Sequence, residues 1–221
     1  MSTKDIIYLA LLLFISMFGR IVFKKLKRPF QLLVLLIAVT FLSECITRIL
    51  VKSIRNSNPA YHFFNIAEII FYSLIYKQLL QARWAQRLLT IVAVAISLFA
   101  LVNLFFIQPL MTFPSNVILT SYCIICLFAL LYFSQMLQIP SQVNILKLET
   151  FWLNALIVLY CSFSFITLAF HNYMSEHGIN GDLINSIAYY LNLVVYAGMG
   201  ITIFMNYQNN RTTSAAWTAL K

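Results

Sequence analysis

Tyr61, Asn65, Glu68 and Tyr72 follow one another at steps of four, three and four, which sets them on one face of a helix. The residues between them in 61–77, YHFFNIAEIIFYSLIYK, are mostly apolar enough to sit in lipid. A carboxylate inside such a span costs about 2.5–3.5 kcal/mol on insertion scales, so it normally faces a partner or a wet cavity. Glu68 has no basic partner on its own helix at helical spacing. It must therefore borrow a cation from elsewhere, Arg48 being the candidate, or stay neutral, which would suit proton coupling.

Two other segments repeat the pattern. Glu44 and Arg48 are four apart and can pair directly along one helix. Asn185, Tyr189, Asn192 and Tyr196 again follow at four, three and four. At about 1.5 Å per residue, Glu44 and Glu68 fall roughly 10–12 Å below the same edge of the bilayer. The candidate ligand-binding or coupling residues are thus Glu68, Glu44, Arg48, Asn65, Asn185, Tyr189 and Asn192. Ser162, Ser164 and Thr167 in the sixth segment, and Thr120, Ser121 and Tyr122 in the fifth, could line the same hollow. The bland alternative is that such residues only hydrogen-bond between helices, each contributing about 1 kcal/mol or less.

Other chemistry-bearing letters carry less. Cys123 and Cys126 form a C-x-x-C with no second pair, and all four cysteines fall inside apolar runs, so packing is the expectation. The outer-loop cluster His171, Glu176, His177 and Asp182 matches no metal-ligand spacing. His62 stands at the mouth of the third segment, as a titrating group or an interfacial anchor. No catalytic constellation, metal or cofactor is expected. Gly198 and Gly200 beside Ala197 point to close helix packing.

The elements that must position these groups are membrane helices. Of 221 residues, 62% are hydrophobic and 10% charged, far below the quarter usual in soluble domains. The net charge of +9 is spread through short segments between apolar runs, against nucleic-acid binding and in the manner of orientation signals. Seven runs are long enough to span, near 6–23, 29–51, 61–81, 88–108, 116–137, 151–171 and 183–206, followed by a short tail at 207–221. The first lacks a small-residue cleavage site and carries its charge after the apolar run, so a retained helix is expected rather than a signal peptide.

Arg20, Lys24, Lys25, Lys27 and Arg28 form the densest basic cluster, and alternation adds Lys77, Arg83, Arg87, Lys147, Arg211 and Lys221 to the same side. The other side receives only Lys4, Arg48, Lys52 and Arg55. The chain is therefore expected to be an all-α bundle of seven spans with its N-terminus outside and its C-terminus cytoplasmic, in an inner or plasma membrane. Trp84, Trp152 and Trp217 fall on the cytoplasmic side of that scheme, two of them near helix ends.

Phe30, Leu32, Leu35 and Ser43 align with Phe151, Leu153, Leu156 and Ser164 at one offset, and Asn65 falls near Asn185 at about the same shift. Segments 1–3 and 5–7 can thus be read as a parallel repeat joined by the fourth. That layout resembles the small sugar and vitamin carriers built as three-plus-one-plus-three helices. The likeness implies that Asn65, with Asn185 or Asn192, faces the substrate. It stops at layout, since the Pro-Gln dipeptide of one branch is absent: Pro29 is followed by Phe30. Seven-helix retinal proteins are disfavoured because 183–206 contains no lysine.

The leading expectation is a membrane protein that binds or moves a small polar solute through an outer-facing cavity lined by segments two, three and seven. A sensor or accessory subunit without transport, working with a second copy or another membrane protein, is the first alternative. An intramembrane lipid hydrolase is the second, lacking a recognisable nucleophile or metal set.

Overall fold

The structure, a computed structural model, describes residues 3–138, 144–178 and 180–219, and the side chains of these apart from 171, 172, 175, 176 and 212–219. Seven α-helices and no strand occur among the described residues. They are α1 (Thr3–Val22), α2 (Arg28–Ile54), α3 (Asn58–Leu79), α4 (Arg83–Val102), α5 (Ser115–Met136), α6 (Glu149–Glu176) and α7 (Asp182–Ala219).

Helix starts follow local chemistry. Pro29 and Pro59 sit in the first turns of α2 and α3, where their missing N–H groups would have had no helical partner. Pro114 caps α5 from the residue before its first turn. The α2–α3 corner turns through Arg55, a left-handed residue at φ 53°, and Asn56 then accepts from the Asn58 amide at 2.8 Å. Beyond Val102, α4 widens into one turn at Asn103–Ile107 in which the Gln108 amide reaches the Asn103 carbonyl five residues back, at 2.7 Å.

α1, α2, α3, α5, α6 and α7 close into a ring, each packed on the next, with α7 returning to α1 and also touching α2. α4 stands outside the ring against α3 and α5. A chain of buried apolar side chains fills the ring, among them Leu12, Leu33, Ile37, Ile69, Ile125, Leu153, Ile157 and Ile203. Close approach depends on small residues: a Cβ on Gly19 would meet Val34 Cγ2 at 2.5 Å, and one on Gly198 would meet Leu156 at 2.7 Å. The expected packing role of Gly198 is therefore present, and Gly200 presses similarly on Ile15.

Six helices are long and apolar enough to cross a membrane, which makes this a multi-pass membrane protein. The exception is α3, the helix with the polar stripe. It is shielded instead by α2, α4 and α5, and ten of its residues are buried. Two boundaries differ from the sequence expectation. α6 runs on to Glu176, and α7 continues through most of the stretch read as a tail, to Ala219. At about 1.5 Å per residue α7 is roughly 57 Å long, well beyond a hydrocarbon core of about 30 Å, so its last turns must project from the bilayer.

The two ends of the bundle are chemically unlike. One end gathers 24–28, the α3–α4 corner, the start of α6 and residues 206–210 of α7. There Lys27 Nζ donates to Glu149 at 2.8 Å, and Asn206 and Asn209 donate to the same carboxylate at 2.8 and 2.7 Å. The Lys27 amide donates to Asn206 at 3.0 Å, and Asn210 donates to the Lys25 carbonyl at 2.9 Å. This basic end is sewn shut. The opposite end is hollow.

Candidate functional site

A cavity of about 460 Å³ opens at the end opposite the basic loops. Its depth is set by helix register. Glu44 lies ten residues before the end of α2, Glu68 ten residues after the start of α3, and Asn192 ten residues after the start of α7. At about 1.5 Å per residue all three stand roughly 15 Å in from their helix ends. Ser57, Asn58, Phe113 and Asn185 form the rim. The loop before α5 is fastened to that rim: Asn58 donates to the Met111 carbonyl at 2.7 Å, and the buried His62 ring nitrogen lies 3.0 Å from the Thr112 carbonyl. His62 is thus a structural tie between α3 and this loop.

The floor is a tier of tyrosines. Tyr8 of α1 meets Tyr196 of α7 edge-on at 5.9 Å, Tyr196 meets Tyr160 of α6 at 6.4 Å, and Tyr160 meets Tyr122 of α5 at 5.5 Å. The last two hydroxyls are 3.2 Å apart. Tyr196 also stands beside Tyr8 and Thr40, and Tyr160 beside the Glu68 carboxyl. Below the tier the side chains are buried. Tyr72 and Tyr76 are buried there, the Tyr76 hydroxyl donating to Asn154 at 2.7 Å and Asn154 donating to the Ala129 carbonyl at 3.0 Å.

In the walls, one buried amide lacks hydrogen-bond partners and one buried carboxyl lacks a counter-charge. Asn65 is 3% exposed and lines the cavity, yet neither its Nδ2 nor its Oδ1 has a hydrogen-bond partner. Glu68 is 2% exposed, and no Lys, Arg or His forms an ion pair with it among the described residues. Asn154, buried at a similar level, is fully engaged. Ser16, Ser73, Asn103 and Ser121 each also hold a buried oxygen without a partner away from the cavity, so Asn65 is set apart by lining the hollow with donor and acceptor both unmet.

Of the candidates from sequence, the structure brings Glu68, Glu44, Asn65, Asn185 and Asn192 to this one cavity. Arg48 and Tyr189 are not part of its lining. Arg48 does bond Glu44, at 2.6 Å, but its other amino group turns to Asp5 of α1 at 3.3 Å, so it does not serve Glu68. Tyr189 packs against Tyr190, and the Lys4 ammonium stands 5.7 Å from its ring. Both residues meet α1, which packs on α2 and on α7.

The walls also reach further than segments two, three and seven. Tyr8, Tyr160 and Phe64 line the cavity without belonging to any polar periodicity. A lone tyrosine in an apolar run reads as core, and only its depth, level with Glu68, could have flagged it. Ser164, Thr167 and Tyr122 line it, whereas Ser121 is buried and Thr120 turns back to bond its own helix. Of the outer-loop cluster, the His171 and Glu176 side chains lie outside the described residues, while His177 is exposed and bonds the Tyr173 carbonyl. Among the described residues no group of three His, Cys, Asp or Glu could hold a metal, and all four cysteines are free thiols.

The arrangement can strip a small solute of water, offer it an amide, hydroxyls, a carboxylate and aromatic faces, and keep it from passing further. Compared with protein-family models, curated proteins and solved structures, the chain matches none.

Proposed function

We propose that this multi-pass membrane protein binds a small polar solute in the cavity walled by α1, α2, α3, α5, α6 and α7 and carries it across an inner or plasma membrane. The observation that carries the reading is Asn65, whose amide is buried at the cavity wall with donor and acceptor both unmet. An unpaired buried amide costs about 1–3 kcal/mol, a cost a bound ligand would remove. The asymmetry of the bundle supports movement rather than binding alone: one end is open to the cavity, and the other is closed by the Glu149 network. An alternating-access carrier in its outward-open state has this form.

Uptake by proteoliposomes tests it. Vesicles containing the wild-type chain are incubated with a mixture of small polar solutes, and retained solutes are read by mass spectrometry. At least one solute should be enriched, and Asn65→Ala or Glu68→Gln should reduce its uptake tenfold or more, the loss expected for one or two hydrogen bonds to a desolvated ligand (about 1.4 kcal/mol per tenfold). Enrichment unchanged in both variants, or none in the wild type, overturns the reading.

A further inference from the structure

We infer that the solute is a small organic cation, held by the Glu68 carboxylate among tyrosine faces with Asn65 Oδ1 accepting its polar hydrogen. This rests on the proposed reading that the cavity binds a solute. Three independent observations converge. Glu68 is buried with no ion-pair partner among the described residues, whereas Glu44, at equal depth, is matched by Arg48. Tyr8, Tyr61, Tyr122, Tyr160 and Tyr196 all line the same hollow, and aromatic faces attract cations through their quadrupoles, most strongly where water is excluded. The Asn65 amide is unmet, so a ligand that donates an N–H or O–H would satisfy its oxygen.

A neutral polyol could satisfy Asn65 but would leave the Glu68 carboxyl without a counter-charge, and an anion would meet Glu68 and Glu44 together. A cation offsets both deficits at once. The volume, about 460 Å³, lies within the range of small-molecule sites, about 300–1,000 Å³.

The experiment uses the purified full-length chain in detergent and follows its melting temperature with added solute. The probes are choline, its neutral carbon isostere 3,3-dimethylbutan-1-ol, the neutral polar solutes urea and glucose, and sodium chloride at matched ionic strength. Choline should stabilise the protein saturably, with the isostere at least about tenfold weaker and Glu68→Gln weakening choline by a similar factor, as for loss of a charge-assisted contact. Should Glu68→Gln fail to fold, the choline–isostere ratio on the wild type decides alone. Equal binding of choline and isostere, or an unchanged affinity in Glu68→Gln, overturns the cation. Stabilisation by urea or glucose and not by choline overturns it while leaving solute binding intact; no stabilisation by any probe counts against both.

Discussion

Two buried asparagines define the chemistry of this chain by contrast. Asn154 has its amide bonded to Tyr76 and Ala129, while Asn65 has neither atom bonded. Their alanine variants should therefore behave oppositely. Asn154→Ala strands the buried Tyr76 hydroxyl and should cost about 1–3 kcal/mol. Asn65→Ala removes an unmet amide and should leave stability within about 0.5 kcal/mol of wild type or raise it, while abolishing solute-dependent stabilisation. Thermal unfolding of both variants in one detergent checks the pair, and a large loss in Asn65→Ala would mark it as ordinary core. The Glu44–Arg48 pairing was legible from spacing alone because both groups share one helix. The Asp5 contact was not, since it joins residues 43 apart in the chain.

At the level of elements, the bundle depends on how closely α1 meets α2 and α7 meets α6 and α1. Three glycines permit this, and their neighbours differ in stiffness. A Cβ at Gly19 would strike both methyls of Val34, at 2.5 and 2.7 Å, and a β-branched side chain has little rotamer freedom to yield. At Gly198 the obstacle is the flexible end of Leu156, and at Gly200 the nearest atom, on Ile15, is 3.1 Å away. Gly19→Ala should thus be the most damaging of the three, by about 1–3 kcal/mol, with Gly198→Ala and Gly200→Ala milder. Unfolding midpoints in detergent would rank them. α3 shows what periodicity leaves open. Its polar face was plain from steps of four and three, yet its place against α2, α4 and α5, rather than as one more lipid-facing span, came only from packing.

For the whole molecule, charge asymmetry and architecture agree on which end is which. The end closed by the Glu149 network carries 24–28, Lys77, Arg83 and Lys147, and the cavity opens at the other. The positive-inside tendency predicts that the cavity faces the extracellular or periplasmic side. In a chain whose four cysteines are replaced, Ser53→Cys should react with a membrane-impermeant thiol reagent on intact cells, and Leu146→Cys only after permeabilisation. Both sites are exposed, at opposite ends. The reverse pattern would invert the scheme and turn the cavity inward.

Length, hydropathy, charge distribution and the polar stripes were determined by the sequence alone, because each is a property of contiguous or helix-spaced residues and needs no knowledge of neighbours. Seven helices and the depth of Glu44, Glu68 and Asn192 follow from that local arithmetic. Which stripe residues share a hollow was decided by tertiary structure. Asp5 and Lys4 of α1 engaged Arg48 and Tyr189, and Tyr8 and Tyr160 entered the site from positions that look like plain packing in the sequence. Rotation of one helix against another is set by the fit of many side chains at once, and no single segment encodes it.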